Sequence, residues 1–480
     1  MKMNTLLIMT DQHRWDYTGY SGAGKVETPN IDRIAQGASF SRCQTVNPIC
    51  QPARAALLTG RYPHQIHLQS MTGDLDRGIR TFPQALREAG YHTMAAGKLH
   101  LLQPWPWNAP ERARLLNLTD LHEEMRGYGF DRLWETAGKQ LMLRNYCDYS
   151  AHLEKKGLLE KYLDSVQAAG ENRDSPDFEE DPATPSVLDE ADYIDVVTAD
   201  KMLGFLNARP KDKPFYAHCS FCSPHKPFDP PARYLEMVPY EEVDDFIPGP
   251  DGRRLEDWEK KQLWRKRRAY KAMIKLLDDQ VGRLLDWLDA EGLAESTLVI
   301  FTSDHGEMLG DHFRIQKATP YQGACTVPLA VRHPALLTGR VHPAPVELTD
   351  LAATVLEAAG LHPQKALAKS WPAYNSEIPA RSLLPVLRGE ADRVREFSYT
   401  ECNGVWQMLQ TETMKYVKWL KTPSPDEIVE ELYDLEADPD ELVNRAGDPA
   451  CAEQLEWFRR RRSHLQYATQ PVQTMWSLKG

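Results

Sequence analysis

Long apolar runs are missing from this chain. Nowhere do about 18 apolar residues follow one another, the least that crosses a bilayer as a helix, so no membrane span and no membrane partner are expected. The first apolar stretch, Leu6 to Met9, follows polar Asn4 and Thr5 and runs on to Asp11, too short and wrongly flanked for a secretory leader. A cytoplasmic protein is the expectation. Cysteine is scarce and scattered, eight in 480 residues, which excludes a disulfide scaffold. The one close pair, Cys219-x-x-Cys222, sits in an apolar strand-like run with no second pair, and reads as packing rather than a zinc or redox element. Positive charge is in deficit: 57 lysines and arginines against 69 aspartates and glutamates leave −12, which argues against a nucleic-acid partner. Four arginines at 459–462 follow Trp457-Phe458 and read as the solvated end of a helix. Internal repeats are also absent.

What is present is an alternation of short apolar runs with helix-like patterns, in a chain 42% hydrophobic and 26% charged. Residues 5–10 end at Asp11-Gln12, 91–97 at Lys98-Leu99-His100, 215–222 lead to His225, and 298–303 end at Asp304-His305. Each run is brief and richly apolar, as for strands covered on both faces. Helical spacing is clearest at 263–291, through Ile274, Leu277, Val281, Leu284, Leu285 and Leu288, and at 348–359, which stops at Gly360. Shorter helices are expected at 30–36 and 82–89. The pattern predicts an α/β fold with a largely parallel sheet. After about residue 385 it changes to strand-like pieces at 397–401 and 414–420 and a last helix near 452–465, so the domains are read as 1–385 and a small α+β unit at 386–480. The acidic, proline-containing stretch 170–192 reads as an exposed insertion, either disordered or a lid.

In open α/β sheets ligands bind beyond the carboxyl ends of the strands. Asp11, Gln12, Asp304 and His305 stand at two such ends and offer carboxylate and amide oxygens and an imidazole nitrogen, a set suited to calcium, manganese or magnesium. An aspartate after a strand also serves as a helix cap or turn residue, and both readings stay open. Cys50 precedes a turn of helix. Pro52 fits the first turn, whose amides would face whatever lies beside Cys50, and Arg54, one turn on, offers a fork to an oxyanion.

These residues resemble the type I sulfatases of the alkaline phosphatase superfamily. Cys50-Gln51-Pro52-Ala53-Arg54 matches that family's C-x-P-x-R signature, and Leu58-Thr59-Gly60-Arg61 continues it. Further likeness runs along nearly all of the chain: T-P-N-I-D-R-I-A from Thr28, G-K-L-H from Gly97, S-P-H-K-P-F from Ser223, T-S-D-H-G-E-M-L-G-D-H from Thr302, Lys317, and E-L-Y-D-L-E-A-D-P from Glu431. The resemblance implies a large mixed, mainly parallel sheet flanked by helices, and a sulfuric ester hydrolase acting on a small sulfate monoester, such as a sulfated sugar, choline sulfate or an aryl sulfate. It also implies that a maturation enzyme oxidises Cys50 to formylglycine, whose hydrate keeps a second hydroxyl with which to expel sulfate. Asp11, Gln12, Asp304, His305 and modified Cys50 would hold one divalent metal, calcium first, with manganese or magnesium as alternatives. Arg54, Lys98 and Lys317 would neutralise the sulfuryl group, and His225 and His100 would serve as acid and base, in either order.

Two positions depart from the commoner pattern. Many sulfatases have a second aspartate where Gln12 stands and an asparagine where His305 stands; the combination here resembles the branch that includes choline sulfatases and phosphonate monoester hydrolases. It removes negative charge from the metal shell. Lys98 and His100 keep the sulfatase pattern, which favours sulfate over the rival reading of a phosphonate monoester or phosphodiester hydrolase. A third reading, an unmodified Cys50 in a non-catalytic binder of metal and anion, stays open, as does a homo-oligomer. Trp105 and Trp107 are candidates for an apolar wall or sugar platform, or else a surface turn. His64 and His67 read as loop or packing residues, and His312 as one that orients a neighbour of the metal site.

Overall fold

The protein is described by a computed structural model that covers residues 2–470 except 72, 104–111, 170–183, 240–244, 251, 337–338, 369–376 and 422–428. Trp105 and Trp107 lie outside the described residues, as does most of the 170–192 stretch. In its described end Thr184, Pro185, Asp189 and Ala191 are exposed, while Leu188 is buried and Asp192 accepts from His152 and Lys156.

The apolar runs form one sheet of eight strands: β1 (Asn4–Asp11), β2 (Ala38–Phe40), β3 (His92–Gly97), β4 (Arg132–Glu135), β5 (Phe215–Pro224), β6 (Thr297–Ser303), β7 (Leu329–Arg332) and β8 (Arg340–His342). Their order is β8-β2-β7-β6-β1-β5-β3-β4. Only β7 runs antiparallel to its neighbours. The helices packed around it include α1 (Pro29–Ala35), α2 (Cys50–Thr59), α3 (Phe82–Glu88), α4 (Ile194–Asn207), α5 (Asp257–Ala290) and α6 (Asp350–Ala358).

Strand side chains alternate between two cores, which explains why the central runs are apolar at every position. Leu6 and Ile8 of β1 join Ile31 and Ile34 of α1, Met202 of α4 and Leu277, Val281 and Leu284 of α5. Leu7 and Met9 point the other way, into a core shared with Leu57 and Leu58 of α2, Phe82 and Leu86 of α3 and Leu351 and Leu356 of α6. Cys219 and Cys222 of β5 fall into opposite cores and face different neighbours, in keeping with packing roles.

The chain then builds a separate four-stranded antiparallel sheet, β9 (Ser398–Cys402), β10 (Trp406–Gln410), β11 (Met414–Trp419) and β12 (Glu430–Asp434), in sequence order, with α7 (Ala452–Thr469) against it. Tyr399, Leu409, Tyr416 and Phe458 of this unit share a core with Val46, Ala56 and Tyr62. Ala56 belongs to α2, so the second sheet backs the helix that carries Cys50. The arginine run is not a helix end. α7 continues past it to Thr469, and Arg459, Arg460 and Arg461 pair with Glu430, Glu456 and Glu396, while Arg462 donates to Gln407.

Candidate active site

The loops after β1, β3, β5 and β6 meet over the first turn of α2. Cys50 is the first helical residue, preceded by extended Ile49, and is 3% exposed. Its Sγ lies 3.0 Å from Lys317 Nζ, 3.2 Å from His305 Nε2 and 3.8 Å from Asp11 Oδ1. Burial alone would push the thiol up, but Lys317, Lys98 and His305 outweigh it and hold Cys50 well below the usual thiol range. Position 50 therefore lies among positively charged and hydrogen-bonding neighbours.

Each expected ligand is held by the protein in a defined orientation. Asp304 Oδ1 accepts from the backbone N–H groups of Gln12 and His305 at 3.0 and 2.9 Å, and its Oδ2 accepts from Arg54 Nε at 2.7 Å. His305 Nδ1 donates to Gly306 O at 2.9 Å, which leaves the Nε2 lone pair facing Cys50. Asp11 Oδ2 accepts from Lys98 Nζ at 2.5 Å. Burial and Cys50 push Asp11 up, yet Lys98, His225 and Arg54 bring it well below the usual carboxylate range. Gln12, at φ 68°, donates its amide N–H to Glu307, so its Oε1 turns to Lys317 at 2.7 Å. One ligand atom each from Asp11, Cys50, Asp304 and His305 lies within 4.8 Å of every other. Two carboxylates, a free imidazole lone pair and the inward amide oxygen of Gln12 fit a divalent cation.

Arg54 does not present an open fork. Its Nε goes to Asp304 and its Nη1 to Ser220 Oγ, at 2.8 Å, and to the carbonyl of Lys98. That leaves Nη2, buried without a hydrogen-bond partner and 3.9 Å from Asp11 Oδ2. A buried donor of this kind is costly unless an acceptor meets it, and so is suited to an arriving anion. His100, at φ 52°, joins Nε2 to Gln103 Oε1 at 2.7 Å, and its buried Nδ1 makes no hydrogen bond. His225 donates Nδ1 to its neighbour's carbonyl, Lys226 O, at 2.7 Å. Both rings lie close enough to interact with Cys50, and both are pushed down from the ordinary imidazole value, by burial first and then by Lys98 or Lys317. A cavity of about 360 Å³ opens over Cys50, lined by Lys98, His100, His225 and Lys317.

Several residues escaped the sequence reading. Glu307 fixes Gln12 and lies two places after His305, so the same motif carried it. Glu135 ends β4 as Asp11 ends β1; its carboxylate accepts from Leu99 N at 3.1 Å and Ala137 N at 2.9 Å and so holds the loop between Lys98 and His100. Lys139, Arg144 and Lys226 also line the cavity. His64 instead joins Glu401 to Thr469, each at 2.8 Å, and His67 is exposed. The His312 ring stacks on Tyr321 with centroids 4.0 Å apart, with no bond from its side chain to the cluster: Asp311 and Tyr321, not the metal shell, are its surroundings.

A buried cysteine at a helix start, beside a lysine ammonium and ringed by groups able to hold a cation beyond the strand ends of an α/β sheet, is a candidate site for ester hydrolysis. Comparison with known proteins narrows the class. The Sulfatase family model matches residues 3–361, and the chain belongs to that family of sulfuric ester hydrolases, within the alkaline phosphatase superfamily. It is 29% identical over 483 residues to an arylsulfatase of Clostridium perfringens, covering 96% of this chain and 93% of that protein. Over 476 residues it is 27% identical to a choline-sulfatase of Rhizobium meliloti, covering 93% and 83%. Among solved structures, the phosphonate monoester hydrolase of Agrobacterium radiobacter shares the fold, with a TM-score of 0.76 at 23% identity over 97% of this chain and 96% of that one.

Proposed function

We propose that the protein hydrolyses the sulfate monoester of a small organic alcohol, using a formylglycine made from Cys50 and one divalent cation. The observation that carries this reading is the place of Cys50: the first residue of a buried helix, its sulfur among the acidic and imidazole ligands and 3.0 Å from Lys317 Nζ. When present, the hydrated aldehyde would supply a nucleophilic hydroxyl and a second hydroxyl for the release of sulfate, and the cation would supply positive charge that lowers the pKa of the first and draws charge from the sulfate oxygens. Asp11, Gln12, Asp304 and His305 would hold the cation. Calcium is the first choice; two carboxylates in the shell rather than three weaken the case for it and strengthen that for manganese, and magnesium would also suit it.

The other residues bind, neutralise and move protons. Arg54 Nη2, Lys98 and Lys317 offer positive charge to a sulfuryl group as its oxygens flatten in the transition state. His225 delivers a proton to the departing alcohol oxygen. His100, held by Gln103 with Nδ1 free, takes the proton from the remaining hydroxyl. The depressed affinity of both rings for protons suits first the role of acceptor, so the two assignments exchange if His225 lies on the nucleophile's side. Sulfated sugars, choline sulfate and aryl sulfates are the substrate candidates, and a cytoplasmic setting would suit the seven free thiols other than Cys50. The test is kcat/KM on matched sulfate, phosphate and phosphonate esters: preference for the sulfate supports the proposal, and a large preference for phosphorus overturns it in favour of a phosphonate or phosphodiester hydrolase.

A further inference from the structure

Lys139 lines the cavity over Cys50, yet its ammonium stands apart from the cations offered to sulfate. It lies in the loop after β4 with its side chain buried, and its Nζ meets three oxygens: Asp229 Oδ1 at 2.6 Å, Tyr193 OH at 2.7 Å and Pro227 O at 3.2 Å. An ammonium has three protons to give, so none is left for a substrate oxygen. Met273 Sδ of α5 packs on the same nitrogen at 3.3 Å, and Tyr193 directly precedes α4. Pro227 and Asp229 belong to the loop that leaves β5, two and four places after His225.

Two bonds of His225 are local: its N–H donates to Cys222 O at 3.2 Å and its Nδ1 to Lys226 O at 2.7 Å. They hold the ring to its own loop. Lys139 ties that loop to a different strand end, 88 and 90 residues back in the chain. A buried lysine–carboxylate pair adds little net stability over apolar packing of the same volume, but its directed bonds fix one geometry. We infer that Lys139 is a positioning residue for proton delivery: by gripping Pro227 and Asp229 it sets where the His225 ring stands relative to the departing alcohol oxygen. The inference rests on the sulfatase reading of the Cys50 site with His225 as proton donor, and adds the residue that places the donor. As the bond from sulfur to the alcohol oxygen breaks, its electron pair stays on that oxygen, which takes the proton from His225; a neutral alcohol departs and the ring is left neutral. A weakly acidic alcohol needs that proton, whereas 4-nitrophenol leaves readily as its anion. Misplacing the donor therefore costs most on the poorest leaving group.

The metal-loaded enzyme and its Lys139→Met and Asp229→Asn variants are assayed as kcat/KM on the 4-nitrophenyl, phenyl and 4-methoxyphenyl sulfates, with thermal unfolding showing that each variant is folded. This ratio reads the steps from free enzyme and substrate through departure of the alcohol. Lys139→Met should lose about 30-fold on the 4-methoxyphenyl ester and less than about threefold on the 4-nitrophenyl ester, so the plot of log kcat/KM against leaving-group pKa steepens. Asp229→Asn keeps an acceptor oxygen for the ammonium but removes the charge; it should steepen the plot less, and it decides the matter if the Lys139 variant does not fold. Equal losses along the series in a folded variant, or no loss at all, overturn the inference, because a general loosening of the fold has no preference among leaving groups. If the unaltered enzyme cleaves the phosphonate monoesters of the same phenols and no sulfate ester, the sulfatase reading falls. The phosphonate plot then decides the role of Lys139 by the same criterion, with steepening upholding it and uniform loss removing it.

Discussion

Replacing Glu307 by alanine tests whether the metal shell depends on a residue that touches no substrate. Glu307 is 2% exposed and accepts from Gln12 Nε2, from Leu309 N at 3.2 Å and from Gln316 N. A buried donor left without an acceptor costs about 1–3 kcal/mol; with water entering the vacated space to satisfy part of the loss, the variant should be about 3 kcal/mol less stable. The sharper effect concerns Gln12. Without Glu307 its amide is free to rotate, and Oε1 is no longer directed at the cluster. Losses of this kind run to about 10–100-fold in metal affinity. The assay is calorimetric titration of the metal-stripped protein with calcium and with manganese, alongside denaturant unfolding of the same preparation. Glu307→Gln, which keeps one acceptor oxygen, should fall between the two. An alanine variant that binds metal as tightly as the unaltered protein would refute the argument, whatever its stability.

Other consequences follow from the same contacts. Cys50→Ser should lose nearly all turnover, because a serine ester has no second hydroxyl with which to release sulfate; multiple-turnover kinetics matching the unaltered enzyme would be incompatible with that step. Burial raises Glu135 to about 7 against backbone donors and Arg54 that pull it down. Its folded value lies above its unfolded one, so its ionisation opposes folding: stability is lost as pH rises from about 4.5 to 7, by about 3 kcal/mol at most, and Glu135→Gln should flatten the fall in denaturant midpoint between pH 5 and 8. An unchanged slope would contradict the assignment. Arg395 bonds Glu347 Oε1 at 3.0 Å and Asp350 Oδ2 at 3.0 Å, and Arg395→Met should cost about 3–5 kcal/mol by stranding two buried carboxylates, measurable as a lowered Tm.

The central strands and the residues at their ends were legible because burial on both faces makes the runs apolar and leaves the first polar residue conspicuous. β1, β3, β5 and β6 each appear within a residue or two of where their apolar runs place them, and Asp11, Lys98, His225 and Asp304 follow from their ends. Glu135 obeys the same logic, but β4 offers only Leu133 and Trp134 ahead of it, too little apolar chain to announce a strand. β10 and β12 hid for a similar reason, being half polar on a small sheet. The engagement of Arg54 was invisible because its partners, Asp304 and Ser220, are 250 and 166 residues away. Arg459 to Arg462 misled because the acids that neutralise three of them come partly from elsewhere in the chain, Glu396 and Glu430, so the helix has no electrostatic reason to stop there.

The most direct test takes actively hydrolysing protein, isolates the peptide that contains residue 50 and treats it with an aldehyde-reactive hydroxylamine, followed by mass analysis. The account predicts labelling at that position, in proportion to specific activity from one preparation to the next. Full activity in material whose residue 50 remains an unlabelled free thiol would contradict it.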